Sequence, residues 1–204
     1  ERNAQFQDNI ISFLPDEPDH ILMAIDFEVA NRPTLFKVNI RTNKRTRIKR
    51  SRTNITNWYA DQQGHPRISI GMDETKIFYS LYDAEGKKLK DLWSYEVFEN
   101  NVVHILGFDL DPNILYVRAL HQGRYAIFKV NVKDSSLTLE LVYADEKYDV
   151  SGSLIYSPKS GKVIGLSHRS DGDNKTYWDN GYLALKRGLN KAFPESDNTI
   201  ISMS

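Results

Sequence analysis

Two hexapeptides decide how this chain reads: LFKVNI at residues 35–40 and IFKVNV at residues 127–132. They differ only by aliphatic exchanges at their ends and lie 92 residues apart. Each alternates apolar and polar side chains, the pattern of a strand with one covered face. The segment before each copy repeats as well. HILMAID begins its Ile-Leu pair at Ile21, and NILYVRA begins its own at Ile114. Recurrence of this kind marks an internal repeat, and an internal repeat determines the fold.

Working outward, KIFYSLY with Ile77 and KVIGLSH with Val163 extend the set to a second-strand column of Ile21, Ile77, Ile114 and Val163. Its steps of 56, 37 and 49 average near 47. A third-strand column runs Phe36, Trp93, Phe128. Turn clusters such as DAEG, DLDPN, KDSS and SPKSG punctuate the strands. Four short strands per 40–50 residues is the signature of a β-propeller blade, because one four-stranded sheet cannot cover its own faces and must stack on another. A β-sandwich also spaces strands regularly; the recurrence at twice the mean period favours the propeller. The expected fold is all-β, with about four blades of four antiparallel strands in an open arc, at residues 9–50, 57–98, 102–144 and 151–178. NGYLALKRGLNKAF, Asn180 to Phe193, is the one helical pattern, giving a short helix near 181–192. Residues 198–204 read as the start of a further blade.

The strand after LFKVNI is strongly basic: Arg41 to Arg52 holds seven Lys or Arg and no acid. Superposing the repeat by its 92-residue offset lays RTRIK, Arg45 to Lys49, on LTLEL, Leu137 to Leu141. The repeat therefore does not demand positive charge there. Basic residues on an outermost strand discourage edge-to-edge pairing, and their stems cover apolar surface. Over the whole chain 27 basic residues balance 27 acidic ones, so no net field favours nucleic acid or an anionic membrane. No apolar run reaches the length of a membrane span. Zero Cys excludes disulfides and thiol chemistry, and leaves the compartment open between cytoplasm and periplasm. ERNAQFQDNI lacks an initiator Met and a signal peptide, and NTIISMS stops on an apolar run, so the chain is expected to be a piece of something longer.

WYADQQGHPRISIG carries W-x-x-D-x-x-G-x-x-R in Trp58, Asp61, Gly64 and Arg67. This arrangement resembles the propeller domains of prolyl oligopeptidase-type serine peptidases. FLPDEPDHILMAID looks like the first complete blade of bacterial members, acylaminoacyl- and dipeptidyl-peptidase-like. SGKVIGLSH with YWDNGYLALKRGLNKAFPESDNTIIS looks like their blade followed by a helix and an exposed LP-type turn, here Phe193-Pro194. The resemblance covers nearly the whole chain. It implies an N-terminal propeller that gates and orients short peptides for a C-terminal α/β-hydrolase domain, absent here, which carries the catalytic triad.

No catalytic residue is expected in this chain. The nucleophile elbow G-x-S-x-G is missing, and Gly152-Ser153 lies at a strand start. His20, His65, His104, His121 and His168 form no metal-binding spacing. HRSDGDNKTYWDN gathers His168, Asp171, Asp173, Asn174 and Asp179, but Lys175 stands where a third calcium ligand belongs, and an Asp-Gly hairpin turn is the simpler account. No metal and no cofactor are expected. Arg67 has two readings. It pairs with Asp61 across the DQQG hairpin over Trp58, or it binds a peptide carboxylate in the central chamber. Tyr177 and Trp178 read as core packing ahead of ligand stacking.

Two functions follow. One is a non-catalytic propeller fragment of a prolyl oligopeptidase-like peptidase, with short peptides and the hydrolase domain as partners. The alternative is a TolB-like or WD-repeat-like scaffold that binds proteins. Uncovered terminal blades are expected to self-associate.

Overall fold

The computed structural model describes residues 9–50, 54–167, 175–196, 198 and 200. Among the described residues the chain is all-β with one helix, and it divides into two compact units, residues 1–100 and 101–204. The first unit holds two antiparallel four-stranded sheets. One is β1 (Ile10–Ser12), β2 (His20–Val29), β3 (Arg32–Asn39) and β4 (Arg45–Lys49). The other is β5 (Ile55–Ala60), β6 (Pro66–Asp73), β7 (Lys76–Tyr82) and β8 (Lys88–Glu96). The second unit holds β9 (His104–Phe108), β10 (Ile114–His121), β11 (Arg124–Asn131) and β12 (Glu140–Tyr143) in one sheet. Its other sheet has three strands among the described residues, β13 (Ser153–Tyr156), β14 (Val163–Ser167) and β15 (Lys175–Tyr177), followed by α1 (Asn180–Ala192). In every sheet the strands neighbour each other in chain order, the up-and-down meander of a propeller blade.

The pairing corrects three details of the sequence reading. KIFYSLY is β7, the third strand of its blade; the second is β6, PRISIGMD. Trp93 likewise lies on the fourth strand, β8. The second strands begin at His20, Pro66, Ile114 and Val163, with steps of 46, 48 and 49, so the repeat is more regular than the apolar runs suggested. β6 escaped notice because Pro, Arg, Gly and Asp interrupt its apolar pattern.

The second detail is register. Val38 pairs with Ile21 and Val130 with Leu115, so Ile21 corresponds to Leu115 and not Ile114. A one-residue slip exchanges the two faces of a strand. The third is the outer strand: Phe36 pairs with Arg47 and Phe128 with Leu141, an offset of 94. The hairpin before β12 is two residues longer than the one before β4. An even insertion preserves the facing of each side chain.

Each unit has a core between its two blades. In the first, Leu22, Ala24 and Leu35 of one blade meet Ile55, Trp58 and Tyr82 of the next, with Leu14 beside them. In the second, Tyr116 and Ile127 meet Val163 and Leu166. Leu35 and Ile127, the first residues of the two hexapeptides, are both fully buried. Burying each such side chain contributes about 1.5–3 kcal/mol.

The extra residue Ile164, opposite no partner between Gly165 and Val163, bulges β14. The bulge lets Leu154, Leu166, Tyr156 and Val163 share the inner face while Ile155 and Ile164 look to the other. There α1 lays Tyr182, Leu183 and Leu189 on Ile164, Tyr177 and Ile200. Asp179 caps the helix by accepting from the Gly181 and Tyr182 N–H groups.

The charges of β4 are used within its own unit. Arg47 pairs with Glu28 at 2.8 Å, and Arg45 lies 4.7 Å from the Phe27 ring centroid. Lys49 reaches the next blade, 3.8 Å from the Tyr82 centroid and 4.9 Å from Trp58, and donates to the Gly86 carbonyl at 2.7 Å.

Candidate functional site

Two places in the first unit hold buried acidic or basic side chains, and they are built differently. The first is the hairpin between β5 and β6. Asp61 sits at the end of β5, where the chain turns, and its side chain is 1% exposed. Its Oδ1 accepts the His65 N–H at 2.8 Å, and its Oδ2 accepts from Arg67 at 3.2 Å. Arg67 Nε donates to the Tyr82 carbonyl at 2.8 Å. Gly64 closes the turn at φ +85°, donating to the Asp61 carbonyl at 3.1 Å. A Cβ there would stand 2.4 Å from Leu14 Cδ2, so both the backbone and the space require glycine.

The structure thus brings Asp61 and Arg67 together. Arg67 is 8% exposed, with its fork directed at Asp61 and Tyr82. The cation over Trp58 is Lys49. Trp58 and Tyr82 pack at 5.2 Å, and the Tyr82 hydroxyl meets Ser69 Oγ at 3.2 Å.

The second place is a cleft of about 570 Å³ lined by Asn9, Ala24, Asp26, Asn31, Pro33, Thr56 and Asn57. Its position follows from the strands. Asp26 continues the face of β2 that carries Leu22 and Ala24, one step past Ala24, the last β2 residue of the interblade core. Ile25 pairs with Thr34 and Val29 with Arg32, so β2 carries two more residues than β3 over this stretch. The resulting irregularity turns the chain around Asp26.

Asp26 is 4% exposed. Its Oδ2 accepts the Asn31 N–H at 3.1 Å, while Oδ1 is buried and has no hydrogen-bond partner. Asn31 holds the turn at φ +57°, a conformation asparagine tolerates. On the opposite wall Asn57 Oδ1 accepts the Trp58 N–H at 2.8 Å, and Asn9 Nδ2 lies 3.5 Å from that oxygen. Thr56 Oγ1 donates to the Ile70 carbonyl at 3.2 Å. The walls are amides and a hydroxyl around one carboxylate.

The sequence reading missed this cleft. The signal was there in HILMAIDF, where an acid interrupts an apolar strand.

No protein-family model matches the chain, and no curated protein does. Among solved structures it is similar to the crystal structure of TolB from Acinetobacter baumannii, at 14% identity and a TM-score of 0.47. The match covers 79% of this chain and 38% of that one. The present chain spans well under half the length of that protein.

The remaining residues singled out by sequence fall elsewhere. Ser153 opens β13, paired with Ser167. Tyr177 stacks on Tyr182 at 5.6 Å and Trp178 on Tyr116 at 5.8 Å, both within the second unit's packing. His104 packs on Tyr125 at 5.6 Å, and burial, then the Arg118 charge, pushes its imidazole below the usual range. His168, Asp171, Asp173 and Asn174 lie outside the described residues. Among the described residues no group of three or more His, Asp or Glu converges as a metal site.

Proposed function

We propose that this chain is a non-catalytic propeller segment that binds short peptides, part of a prolyl oligopeptidase-like serine peptidase whose hydrolase domain supplies the chemistry. The observation that carries the binding role is the cleft of about 570 Å³ walled by Asn9, Asn31, Thr56 and Asn57. A side-chain amide both donates and accepts, as a peptide group does, so an amide-walled cleft matches an extended backbone without requiring one side chain. Arg67 enters this reading as a positioning residue. Its bonds to Asp61 and the Tyr82 carbonyl fix the far end of β5, the strand whose early residues, Thr56 and Asn57, wall the cleft. The parentage rests on the W-x-x-D-x-x-G-x-x-R arrangement of Trp58, Asp61, Gly64 and Arg67.

The test has two parts. Blocked tripeptides titrated into the full chain should shift the amide resonances of Asn31, Thr56 and Asn57 in a saturable way. A fluorophosphonate probe applied to the longest natural protein carrying this chain should label one serine outside residues 1–204. A labelled serine inside these residues overturns the non-catalytic assignment. The absence of any labelled serine overturns the peptidase parentage and leaves the scaffold reading.

A further inference from the structure

Among the described residues Asp26 is the single ionisable side chain lining the cleft, and none of them offers it a cation. The same unit shows what a completed site looks like. Asp61 is as buried as Asp26, and both its oxygens have donors. Asp26 has a donor on Oδ2 and none on Oδ1. A carboxylate oxygen withdrawn from water without a donor loses its hydration and regains nothing. The cleft that Asp26 lines is the open side from which a donor can come.

We propose that this cleft is a binding site for an alkylammonium group, with Asp26 as its counter-ion and Asn9, Asn31 and Asn57 as its polar walls. The chemistry of the donor set selects this cation. A guanidinium prefers to grip both oxygens of a carboxylate in a fork, and Oδ2 is already taken by the Asn31 N–H. A calcium ion needs six to eight oxygens, beyond what one carboxylate and a few amides supply. An ammonium is a point charge with three donors, able to satisfy one carboxylate oxygen and two amide oxygens at once. Ala24 and Pro33 provide the apolar wall along which its alkyl stem lies.

The proposal rests on the peptide-binding reading, in which the ammonium comes from a lysine side chain or from a free peptide N-terminus. Calorimetry on the full chain separates these sources. The probes are acetyl-Ala-Lys-Ala-amide, its norleucine, arginine and trimethyl-lysine analogues, Ala-norleucine-Ala-amide with a free N-terminus, and n-butylammonium chloride. The lysine peptide is expected to bind roughly ten- to hundredfold tighter than the norleucine peptide, the value of a charge-assisted hydrogen bond. Trimethyl-lysine keeps the charge but has no N–H, and should lose most of that gain. Asp26→Asn should reduce the lysine peptide to the norleucine level. Should the free N-terminus show the gain and the lysine side chain not, the ammonium is the peptide's own terminus and the site stands.

Equal affinity of lysine, trimethyl-lysine and norleucine peptides overturns the ammonium site while the peptide reading survives. Binding of n-butylammonium with no peptide bound does the reverse. The trimethyl-lysine comparison uses the unmodified chain, so the outcome does not depend on how Asp26→Asn folds.

Discussion

The first and third sheets carry LFKVNI and IFKVNV in the same place, yet their surroundings diverge two strands' width away. Leu35 pairs with Ala24, and Ile127 pairs with Arg118. By the same register Pro33 corresponds to Tyr125. In the first blade these positions hold a methyl group and a ring without hydrogen-bonding groups, and both line the cleft of about 570 Å³. In the third they hold a guanidinium lying 4.7 Å from a phenol ring. The repeat sets the frame; the side chains on it differ from blade to blade.

A second contrast runs beside it. Asp61 and Arg67 complete each other, whereas Asp26 Oδ1 and Arg118 Nε are both buried without partners. The closed pair belongs to the scaffold, while Asp26 lines the cleft.

The largest expected effect comes from opening the closed pair. Asp61→Ala leaves Arg67 as a buried cation without its acid and should cost about 3–5 kcal/mol in urea unfolding. A loss no larger than that of an exposed pair, about 0–1 kcal/mol, breaks the contrast with Asp26. Next are the two hexapeptide anchors. Leu35→Ala and Ile127→Ala should each cost about 2–5 kcal/mol and agree closely, since both are fully buried at one position of the repeat. A wide difference between them would show that the interblade cores are not equivalent.

Alkaline pH sharpens the comparison from the second unit. Burial, then the Asp109 charge, pushes the Tyr116 and Tyr156 phenols up to about 12, against an ordinary 10. Because the folded pKa is raised, the stability linked to these phenols is fully present below about pH 10 and is lost as pH rises toward 12. Melting followed across that window should fall steeply, and the Tyr156→Phe chain should fall less. The smallest effect is expected from Arg118→Ala, about 0.5–1 kcal/mol for the lost ring contact, since no ion pair is broken. That variant gives the third blade the alanine of the first, and loss of the cation over the Tyr125 ring in its structure is the outcome to check.

How much of this was legible without coordinates is best seen in particular residues. LFKVNI and IFKVNV locate β3 and β11 correctly, because period-2 alternation is a local property and needs no partner to read. The helix at Asn180–Ala192 is legible for the same reason. PRISIGMD was not, since its Pro, Arg and Gly resemble a turn until the strands on either side supply the hydrogen bonds. The pairing of Asp61 with Arg67 could be anticipated from their spacing across a hairpin. Asp26 could not, because an acid in an apolar strand is noticeable in sequence but its missing donor is a fact about neighbours in space.

The sequence by itself thus determined the strand periodicity, the repeat near 47 residues, the all-β class and the Gly64 turn, each governed by chemistry within a few residues. Only the tertiary structure decided the register of the second strands, the face each side chain takes, and the place where Ala24, Asp26 and Asn57 meet. Register and burial depend on cross-strand and interblade contacts between residues tens of positions apart, and no local pattern encodes which of them is left without a partner.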